Sequence, residues 1–280
     1  MKAVFAAKAD DSVHFRLAPA RSLALVGITG YYPMIQSDDP RLALAAIRSR
    51  YNNPTTYAAA DEWHRFTATR IRQEIARSWP HLPTQKGHVI LNAGAGDNDL
   101  GLCPSWTINL DISEARIAHL SRPIAASIEA LPFPDGIVDT IICVGSVINY
   151  CNAAAAISEF GRVLRPGGCL ILEFESSRSA ELLFQDAFGR SAAISETFYN
   201  GQKEAIWVYA REYIARLLAA ATISLVRCVP IQIVSPWILL LTRSIPVAAL
   251  GARLDPLAKE LFPLSRWASN YVLFCERRSD

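Results

Sequence analysis

Between His88 and Glu175 the sequence alternates short apolar runs with polar or glycine-containing turns. The runs read HVILNAG, WTINLD, PIAAS, VDTIICVG and CLILEFE. Uninterrupted apolar runs of this length are typical of strands that are buried on both faces, and their alternation with short helical stretches predicts a parallel sheet with crossover connections. A later run, SNYVLFCER, predicts a strand near the C-terminus that returns to the same sheet.

The flanking segments suggest how the chain is organised around this sheet. Residues 1–86 carry apolar residues at helical spacing, which predicts an N-terminal helical extension or lid. Residues 87–280 are expected to form a Rossmann-like, doubly wound α/β core with a mostly parallel sheet. Within it, residues 176–268 should contain a helical insertion that precedes the last strands and covers the carboxyl edge of the sheet, where open α/β folds bind ligands. The stretch ETFYNGQKEAIWVY is expected to be loop and helix.

Composition limits the partners that such a chain can have. The formal net charge is +2 and charged residues make up 19%, so there is no basic excess of the kind that marks a nucleic-acid binder. The six cysteines form no C-x-x-C pair, which favours a reducing cytoplasm and no metal site. The apolar region 213–250 is interrupted by arginines and prolines, so no transmembrane segment is expected. Peripheral contact with a membrane stays open, and a buried helix and strand are the alternative.

A glycine-containing turn, Asn92 to Gly96, follows the first strand of the core. Glycines at 94 and 96 let the backbone turn tightly and approach a ligand closely. A G-x-G after a strand also occurs in NAD enzymes and in ordinary turns, so several interpretations share this motif. A dinucleotide fingerprint would place its third glycine at position 99, which is Asp99, and this disfavours NAD.

The second strand ends in Asp111, which places a carboxylate beside the glycine turn. Such a carboxylate can accept hydrogen bonds from ribose hydroxyls and would repel an additional phosphate. It could also cap a helix that starts near Glu114, and the two roles are compatible. The 15 positions between Gly96 and Asp111 cannot hold the second strand and a helix of about 11 residues. The first crossover helix is therefore expected to be a turn or lost.

Three more motifs follow in order: EALPFPDG at 129–136, DTII at 139–142 and RVLRPGG at 162–168. With the glycine turn and Asp111, they resemble the class I S-adenosylmethionine methyltransferases, especially the broad group similar to ubiquinone and menaquinone methyltransferases. The resemblance covers about residues 87–176 and implies methyl transfer with S-adenosyl-L-methionine as cofactor. The RVLRPGG segment has the composition of a helix end and reverse turn, so its expected role is structural.

The resemblance implies a set of cofactor contacts. The glycine turn would lie under the methionine part, Asp111 would hold the ribose, and Ile112 would pack on the adenine. Asn92 replaces the usual acidic residue, so contact with the ammonium group would use an amide oxygen or water. Ser127 stands where the family commonly has an acidic residue near the adenine amino group. The predicted cofactor residues are Asn92, Ala93, Gly94, Ala95, Gly96, Asp111, Ile112, Ser127, Ile128, Glu129, Val144 and Gly145.

The acceptor is expected where the chain leaves the fourth strand. Tyr150 is the candidate catalytic residue, because a tyrosine can orient a hydroxyl or act as a base, although packing over the site would also explain it. His64 is an alternative base on the N-terminal segment. All histidines lie before the LPF motif and no D/N-P-P-Y motif is present, which disfavours histidine-base and amino-methylating types. The predicted acceptor contacts are Asn149, Tyr150, Tyr51, Tyr57 and Tyr199.

These patterns favour an enzyme that methylates an oxygen or carbon atom of a small-molecule acceptor, apolar or aromatic, which the region 213–250 would receive. A catalytically silent S-adenosylmethionine-binding or interaction module is the alternative, suggested by Asn92 and the shortened crossover. An NAD-dependent reductase is a third possibility, and Asp99 opposes it.

Overall fold

The computed structural model describes residues 43–52, 62–78, 87–199, 202–258 and 263–279. The helices within these ranges are α1 (Leu44–Asn52), α2 (Glu62–Ser78), α3 (Glu114–Ile117), α4 (Ala153–Val163), α5 (Arg211–Ala220), α6 (Ser235–Thr242), α7 (Ile245–Gly251) and α8 (Asp255–Ala258). The strands are β1 (Ile90–Ala93), β2 (Thr107–Asp111), β3 (Pro123–Ala125), β4 (Val138–Cys143), β5 (Leu164–Glu175), β6 (Ala192–Tyr199), β7 (Gln202–Tyr209), β8 (Ile223–Ile231) and β9 (Asn270–Arg277).

Seven strands form one sheet in the order β3-β2-β1-β4-β5-β9-β8. The first five pair in parallel, whereas β9 runs antiparallel to both β5 and β8. Every residue of β1, β2 and β4 is buried, as their uninterrupted apolar sequences predict. The Rossmann-like, mostly parallel sheet and the late returning strand are therefore confirmed.

Each face of the sheet is covered by helices. On one face α4 contributes Phe160 and α5 contributes Ile214, which pack with Leu91 and Ile141 of the central strands. The other face is covered by α2, whose Ile71 and the neighbouring Ile75 lie against residues of β1, β4, β5, β8 and β9. Residues 94–106 contain turns and no helix, as predicted. An N-terminal helix thus contributes to the cover on the face from which the first crossover helix is missing.

Polar contacts attach α2 to β8, the strand at one edge of the main sheet. Glu74 is buried, and its carboxylate lies 3.1 Å from Arg70, 2.7 Å from Arg77 and 3.3 Å from Arg227 of β8. Gln232, just after β8, donates to the hydroxyl oxygen of Thr67 at 3.0 Å. A buried carboxylate with several cationic partners avoids the cost of an uncompensated charge. These contacts fix α2 across β8.

The sequence expectation for ETFYNGQKEAIWVY was wrong, because this segment is a β-hairpin formed by β6 and β7. Its strands pair from Ala192↔Tyr209 to Tyr199↔Gln202. Asn200 and Gly201 connect them in sequence, and Asn-Gly between two β-forming runs is a strong hairpin signal that outweighs the helical spacing. The insertion is also not a single helical block, because β8 belongs to the main sheet. The additions to the core are the hairpin and the helices α6 to α8.

Arg162 connects two of the sequence motifs. Its guanidinium donates to the carbonyl oxygens of Phe133 at 2.7 Å and Leu131 at 3.0 Å, and it pairs with Asp135 at 2.8 Å and Glu159 at 2.7 Å. These partners raise the pKa of Arg162. The RVLRPGG motif therefore has the predicted structural role, because its first arginine holds the LPFPD loop against α4.

Replacing Phe160 with alanine should destabilise the protein by about 3 to 5 kcal/mol, because the ring is fully buried and its loss leaves a cavity. The free energy of unfolding, measured with urea, checks this. Phe184→Ala is the matched control, since that ring is 83% exposed and its loss should change stability little. Equal destabilisation by the two substitutions would contradict the assignment of the core.

Candidate active site

The loops after β1 and β2 are joined at the carboxyl edge of the sheet. The backbone N–H groups of Gly94 and Ala95 donate to the Leu110 carbonyl at 2.8 and 2.9 Å. Gly94 and Gly96 have φ angles of +77° and +54°, a conformation that favours glycine. The N–H of Gly96 donates to Oδ2 of Asp111 at 2.9 Å. The predicted glycine turn and the strand-end carboxylate are therefore in direct contact.

Asp111 is 9% exposed, and burial raises the pKa of its carboxyl group despite the hydrogen bonds that oppose this shift. Its second oxygen, Oδ1, accepts from the N–H of Ser113 at 2.8 Å. Ser113, not Asp111, is the N-cap residue of α3. A carboxylate has about four lone-pair sites, so one protein donor on each oxygen leaves acceptor capacity for a ligand.

The side chain of Asn92 forms hydrogen bonds beneath the glycine turn, to residues of the following loop and of β2. Its amide nitrogen donates to the Asn98 carbonyl and to Oδ1 of Asn109, both at 2.9 Å. Both amide hydrogens are used within the protein, so the oxygen is the atom that a ligand's ammonium group could meet. This agrees with the amide-oxygen contact expected for Asn92, which stays a prediction.

The three residues proposed for the adenine amino group have different surroundings. Ile128 is buried in the core. Glu129 accepts from the N–H of Asn152 at 2.7 Å, which directs its carboxylate to the start of α4. Ser127 is partly exposed, and its hydroxyl oxygen accepts from the N–H of Glu129 at 3.1 Å. The preceding residue, Ala126, donates to the Asp111 carbonyl at 2.9 Å. Of the three candidates, Ser127 is therefore the one next to a residue that contacts the end of β2.

The turn after β4 depends on a residue that sequence patterns did not reveal. Glu173 of β5 is buried, and its Oε2 accepts from the N–H groups of Gly145 at 2.9 Å and Ser146 at 2.5 Å. Its other oxygen accepts from the Asn270 amide at 2.6 Å. Burial raises the pKa of Glu173, and these donors oppose the shift. A buried glutamate in an apolar strand was the available signal.

The turn after β4 also closes onto the glycine turn. A Cβ atom added to Gly94 would lie 2.4 Å from a methyl group of Val147, which leaves no room for any other residue there. By contrast, a Cβ atom at Gly96 would meet nothing within 4 Å. The open side of the glycine turn is therefore at Gly96, next to Asp111.

Tyr150 and Tyr51 contact each other at this edge, in the region where the acceptor is predicted, which we call the acceptor side. The Tyr150 hydroxyl donates to Oε2 of Glu204 at 2.7 Å, and an Arg50 guanidinium nitrogen lies 3.7 Å from the same oxygen. The rings of Tyr51 and Tyr150 are 5.4 Å apart in an edge-to-face arrangement. Sequence analysis identified the two tyrosines and missed Arg50 and Glu204, which come from distant segments.

The other predicted acceptor residues are placed differently. Asn149 is buried, and its amide nitrogen donates to the Trp207 carbonyl at 2.6 Å while its oxygen accepts from the N–H of Glu175 at 3.0 Å. These bonds join the turn after β4 to β5 and β7. Tyr57 lies outside the described residues, as does the side chain of Tyr199, whose backbone ends β6.

Glu175 ends β5 at this edge of the sheet, and its carboxyl group has a raised pKa. Burial raises its pKa to about 8, and the carboxylates of Glu173, Glu181 and Glu204 add to the shift, while Ser146 opposes it. A carboxyl group that titrates in this range can take up or release a proton near neutral pH. Glu175 was not among the predicted site residues, because its raised pKa depends on burial in the folded protein, which no local pattern contains.

Helix α1 contacts both sides of this edge. The hydroxyl of Ser113 donates to Oδ1 of Asn52 at 2.6 Å, and Nε of Arg116 donates to the Tyr51 carbonyl at 2.6 Å. Arg50 on the same helix lies beside Glu204. This position of α1 is consistent with the predicted lid. The role of residues 1–86 as a lid stays a prediction.

The raised pKa of Glu175 should make stability depend on pH. The folded protein keeps the Glu175 proton up to about 8, whereas the unfolded chain loses it near 4.5. Its contribution to stability is therefore present below the unfolded value and lost as the pH rises through the folded value. Between pH 4.5 and about 8, the melting temperature of Glu175→Gln should therefore fall less steeply with rising pH than that of the wild type.

Melting temperatures of wild type and variant, recorded between the two pKa values, provide the measurement. Glu276→Gln is the matched control, because this glutamate lies exposed on β9 and should keep the wild-type slope. A Glu175→Gln variant with an unchanged slope would show that Glu175 is ionised normally in the fold.

Comparison with known proteins agrees with this arrangement. Residues 94–172 match the family model described as a methyltransferase domain. Over 102 residues the chain is 34% identical to the ubiquinone/menaquinone biosynthesis C-methyltransferase UbiE of Shewanella sp. (strain W3-18-1), a match that covers 36% of this chain. The match spans only 38% of that relative's length.

Solved structures share the fold at low sequence identity. Geranyl diphosphate C-methyltransferase from Streptomyces coelicolor A3(2) superposes with a TM-score of 0.52 at 16% identity, covering 86% of this chain and 100% of the other. The 1,6-didemethyltoxoflavin-N1-methyltransferase of Burkholderia thailandensis gives 0.50 at 14% identity, covering 85% and 88%. Residues 94–172 are therefore identified as a methyltransferase domain, and the chain is similar over part of its length to the ubiquinone/menaquinone C-methyltransferases.

Proposed function

We propose that this protein transfers the methyl group of S-adenosyl-L-methionine to a carbon or oxygen atom of a small apolar or aromatic acceptor. The observation that carries the proposal is the contact between Asp111 and Gly96 at the carboxyl edge of the sheet. It places a buried acceptor of hydrogen bonds beside the open side of a glycine turn, within the segment that matches the methyltransferase domain.

The residues at this edge fit the proposed cofactor. Asp111 has acceptor capacity for the ribose hydroxyls, and the space next to Gly96 is open. Ile112 follows Asp111 and is partly exposed, so its side chain can pack on the adenine. The Asn92 oxygen suits the ammonium group, because both amide hydrogens are engaged elsewhere. When bound, the cofactor supplies an already activated methyl group.

The remaining work of the protein is to position the acceptor, exclude water and hold a proton. Tyr150 is held by Glu204 and can orient a hydroxyl or enol oxygen of the acceptor. The ionised form of Glu175, which a pKa of about 8 makes accessible near neutral pH, is the group we assign to take up the acceptor proton. Tyr51 packs edge-to-face against Tyr150 and would add an aromatic wall to the acceptor pocket.

Within this proposal a carbon acceptor is preferred over an oxygen acceptor. The relative with 34% identity over 102 residues is named a C-methyltransferase of ubiquinone and menaquinone biosynthesis. Methylation of a ring carbon next to a hydroxyl is faster when that hydroxyl loses its proton. Glu175 would accept this proton, and Tyr150 would orient the oxygen. An acceptor of the hydroquinone class combines both features.

The Asp111→Asn substitution should weaken binding of S-adenosylmethionine and S-adenosylhomocysteine about ten- to hundredfold. Hydrogen bonds to a charged group contribute ~1.5–3 kcal/mol, and the amide also places its NH2 group against the N–H of either Gly96 or Ser113. Calorimetric titration gives the dissociation constants. Asp186→Asn is the control, because this exposed aspartate lies in the segment between β5 and β6.

The outcomes of that titration separate the candidate functions. Binding that weakens in Asp111→Asn and not in Asp186→Asn supports the cofactor site. Failure of the wild-type protein to bind either compound would refute methyl transfer. Binding without turnover on any acceptor would instead favour the catalytically silent module.

The Tyr150→Phe substitution should lower kcat on the order of a hundredfold, which is typical for loss of a group that handles or orients a proton, and leave S-adenosylhomocysteine affinity unchanged. The assay follows transfer of a labelled methyl group to catechols and hydroquinones with and without prenyl chains. Tyr213→Phe is the control, since this tyrosine on α5 packs beside Tyr209. An unchanged kcat in Tyr150→Phe would leave Tyr150 only a packing role.

A further inference from the structure

The helical segments between β8 and β9 bury small residues and expose large ones. Helix α7, a short 3-10 turn at Ala252–Leu254 and helix α8 follow one another without interruption from residue 245 to residue 258. The side that faces the protein is formed by Ala248, Gly251, Ala252, Asp255 and Ala258. An ordinary surface helix has the opposite arrangement, with its large apolar residues facing the core.

The large residues of this run point away from the protein along one line. Val247, Leu250, Leu254 and Leu257 are 45%, 56%, 50% and 70% exposed. Their spacing of three, four and three positions places them on one side of a helix, and we call these four residues the outer stripe. Leu241, at the end of α6, is 83% exposed and extends the apolar surface.

Contacts on the inner side hold the run in this orientation. A Cβ atom at Gly251 would lie 2.5 Å from Cδ1 of Ile238, so α6 and α7 approach too closely for a larger residue. Asp255 accepts from the N–H groups of Ile233 and Val234 at 2.9 and 3.0 Å. Turning the outer stripe inward would break these bonds and bring leucines into the narrow contact. The exposure of the stripe is therefore built into the packing.

The exposed charges that residues 235–258 carry beside the outer stripe have one sign. Between residues 235 and 258 the only acidic residue is Asp255, which is buried. The exposed charged residues of this segment are Arg243 and Arg253. An apolar stripe flanked by arginines, without an exposed carboxylate in the segment, complements the surface of a bilayer that contains anionic phospholipids.

We propose that the outer stripe docks on an anionic phospholipid bilayer, with the leucines below the headgroups and Arg243 and Arg253 at the phosphates. Among the helices that the structure describes, none has the length and apolarity that a membrane span requires. The segment leaves the sheet after Ile231 and returns at Asn270, both at the carboxyl edge. Docking would therefore bring the membrane beside the acceptor side, although the inference does not depend on methyl transfer.

Flotation of the full chain with vesicles tests this docking. One set contains phosphatidylcholine alone and the other contains phosphatidylcholine with phosphatidylglycerol. Wild type should float with the anionic vesicles, and the triple variant Leu250→Ser, Leu254→Ser, Leu257→Ser should lose about tenfold or more of its partitioning. Arg243→Gln with Arg253→Gln should lower binding several-fold, as should added salt.

Matched controls make the result interpretable. Val226→Ser removes a 67% exposed apolar side chain from β8 and should bind vesicles like wild type. Thermal melts show whether each variant is folded, and because the stripe is exposed, the triple variant should melt near the wild-type temperature. Single serine substitutions at the same positions provide folded variants if the triple variant does not fold.

Three outcomes would overturn the proposal. Wild type that floats with neither vesicle would exclude a membrane-docking role. Undiminished flotation of folded stripe variants would place the contact elsewhere. A wild-type dimer that dissociates in the stripe variants, without vesicle binding, would show that the stripe contacts a second copy of the chain. Loss of docking leaves cofactor titration unaffected, so this inference and the proposed function can fail separately.

Discussion

The carboxylate of Glu173 receives hydrogen bonds from two separate parts of the chain: its own strand carries it to the turn after β4, where Gly145 and Ser146 donate, while Asn270 donates from β9. A buried carboxylate is costly unless its oxygens are satisfied, so these elements are constrained to meet around it. The turn that it fixes leads into Val147, which covers Gly94, and then Tyr150, which reaches Glu204. One carboxylate thus positions both sides of the candidate site.

The two sides differ in how their acidic groups are held. Asp111 is bound by backbone N–H groups within its own loop region, which keeps it ready to accept hydrogen bonds. Glu175 lies among other carboxylates, which raise its pKa further than burial does alone. In the proposed function, the same chemical group therefore serves recognition at one position and proton handling at the other. The difference comes from the neighbours that the fold supplies, because burial raises the pKa of both carboxyl groups and the carboxylates around Glu175 add to its shift.

The strands, the lost crossover helix and the contact between the glycine turn and Asp111 follow from local sequence, because each depends on residues close together in the chain. The hairpin was missed although Asn200 and Gly201 gave its turn signal, since the flanking residues also fit a helix. Glu204 meets Tyr150 across 54 positions, and Glu173 meets Gly145 across 28. Such pairings are set by strand order and insertion geometry, which no local pattern contains. The predicted lid and cofactor contacts remain predictions for the same reason.

The position of α2 has a consequence for the order in which the chain can fold during synthesis. Its Glu74 pairs with Arg227 and its Thr67 with Gln232, at separations of 153 and 165 residues. Ribosomes add about 5 to 20 residues per second, so α2 emerges roughly 8 to 30 s before these partners exist. During that interval Ile71 and Ile75 lack β8 and β9 to cover them. The growing chain therefore leaves the apolar face of α2 incompletely covered until nearly all of the sheet has been made.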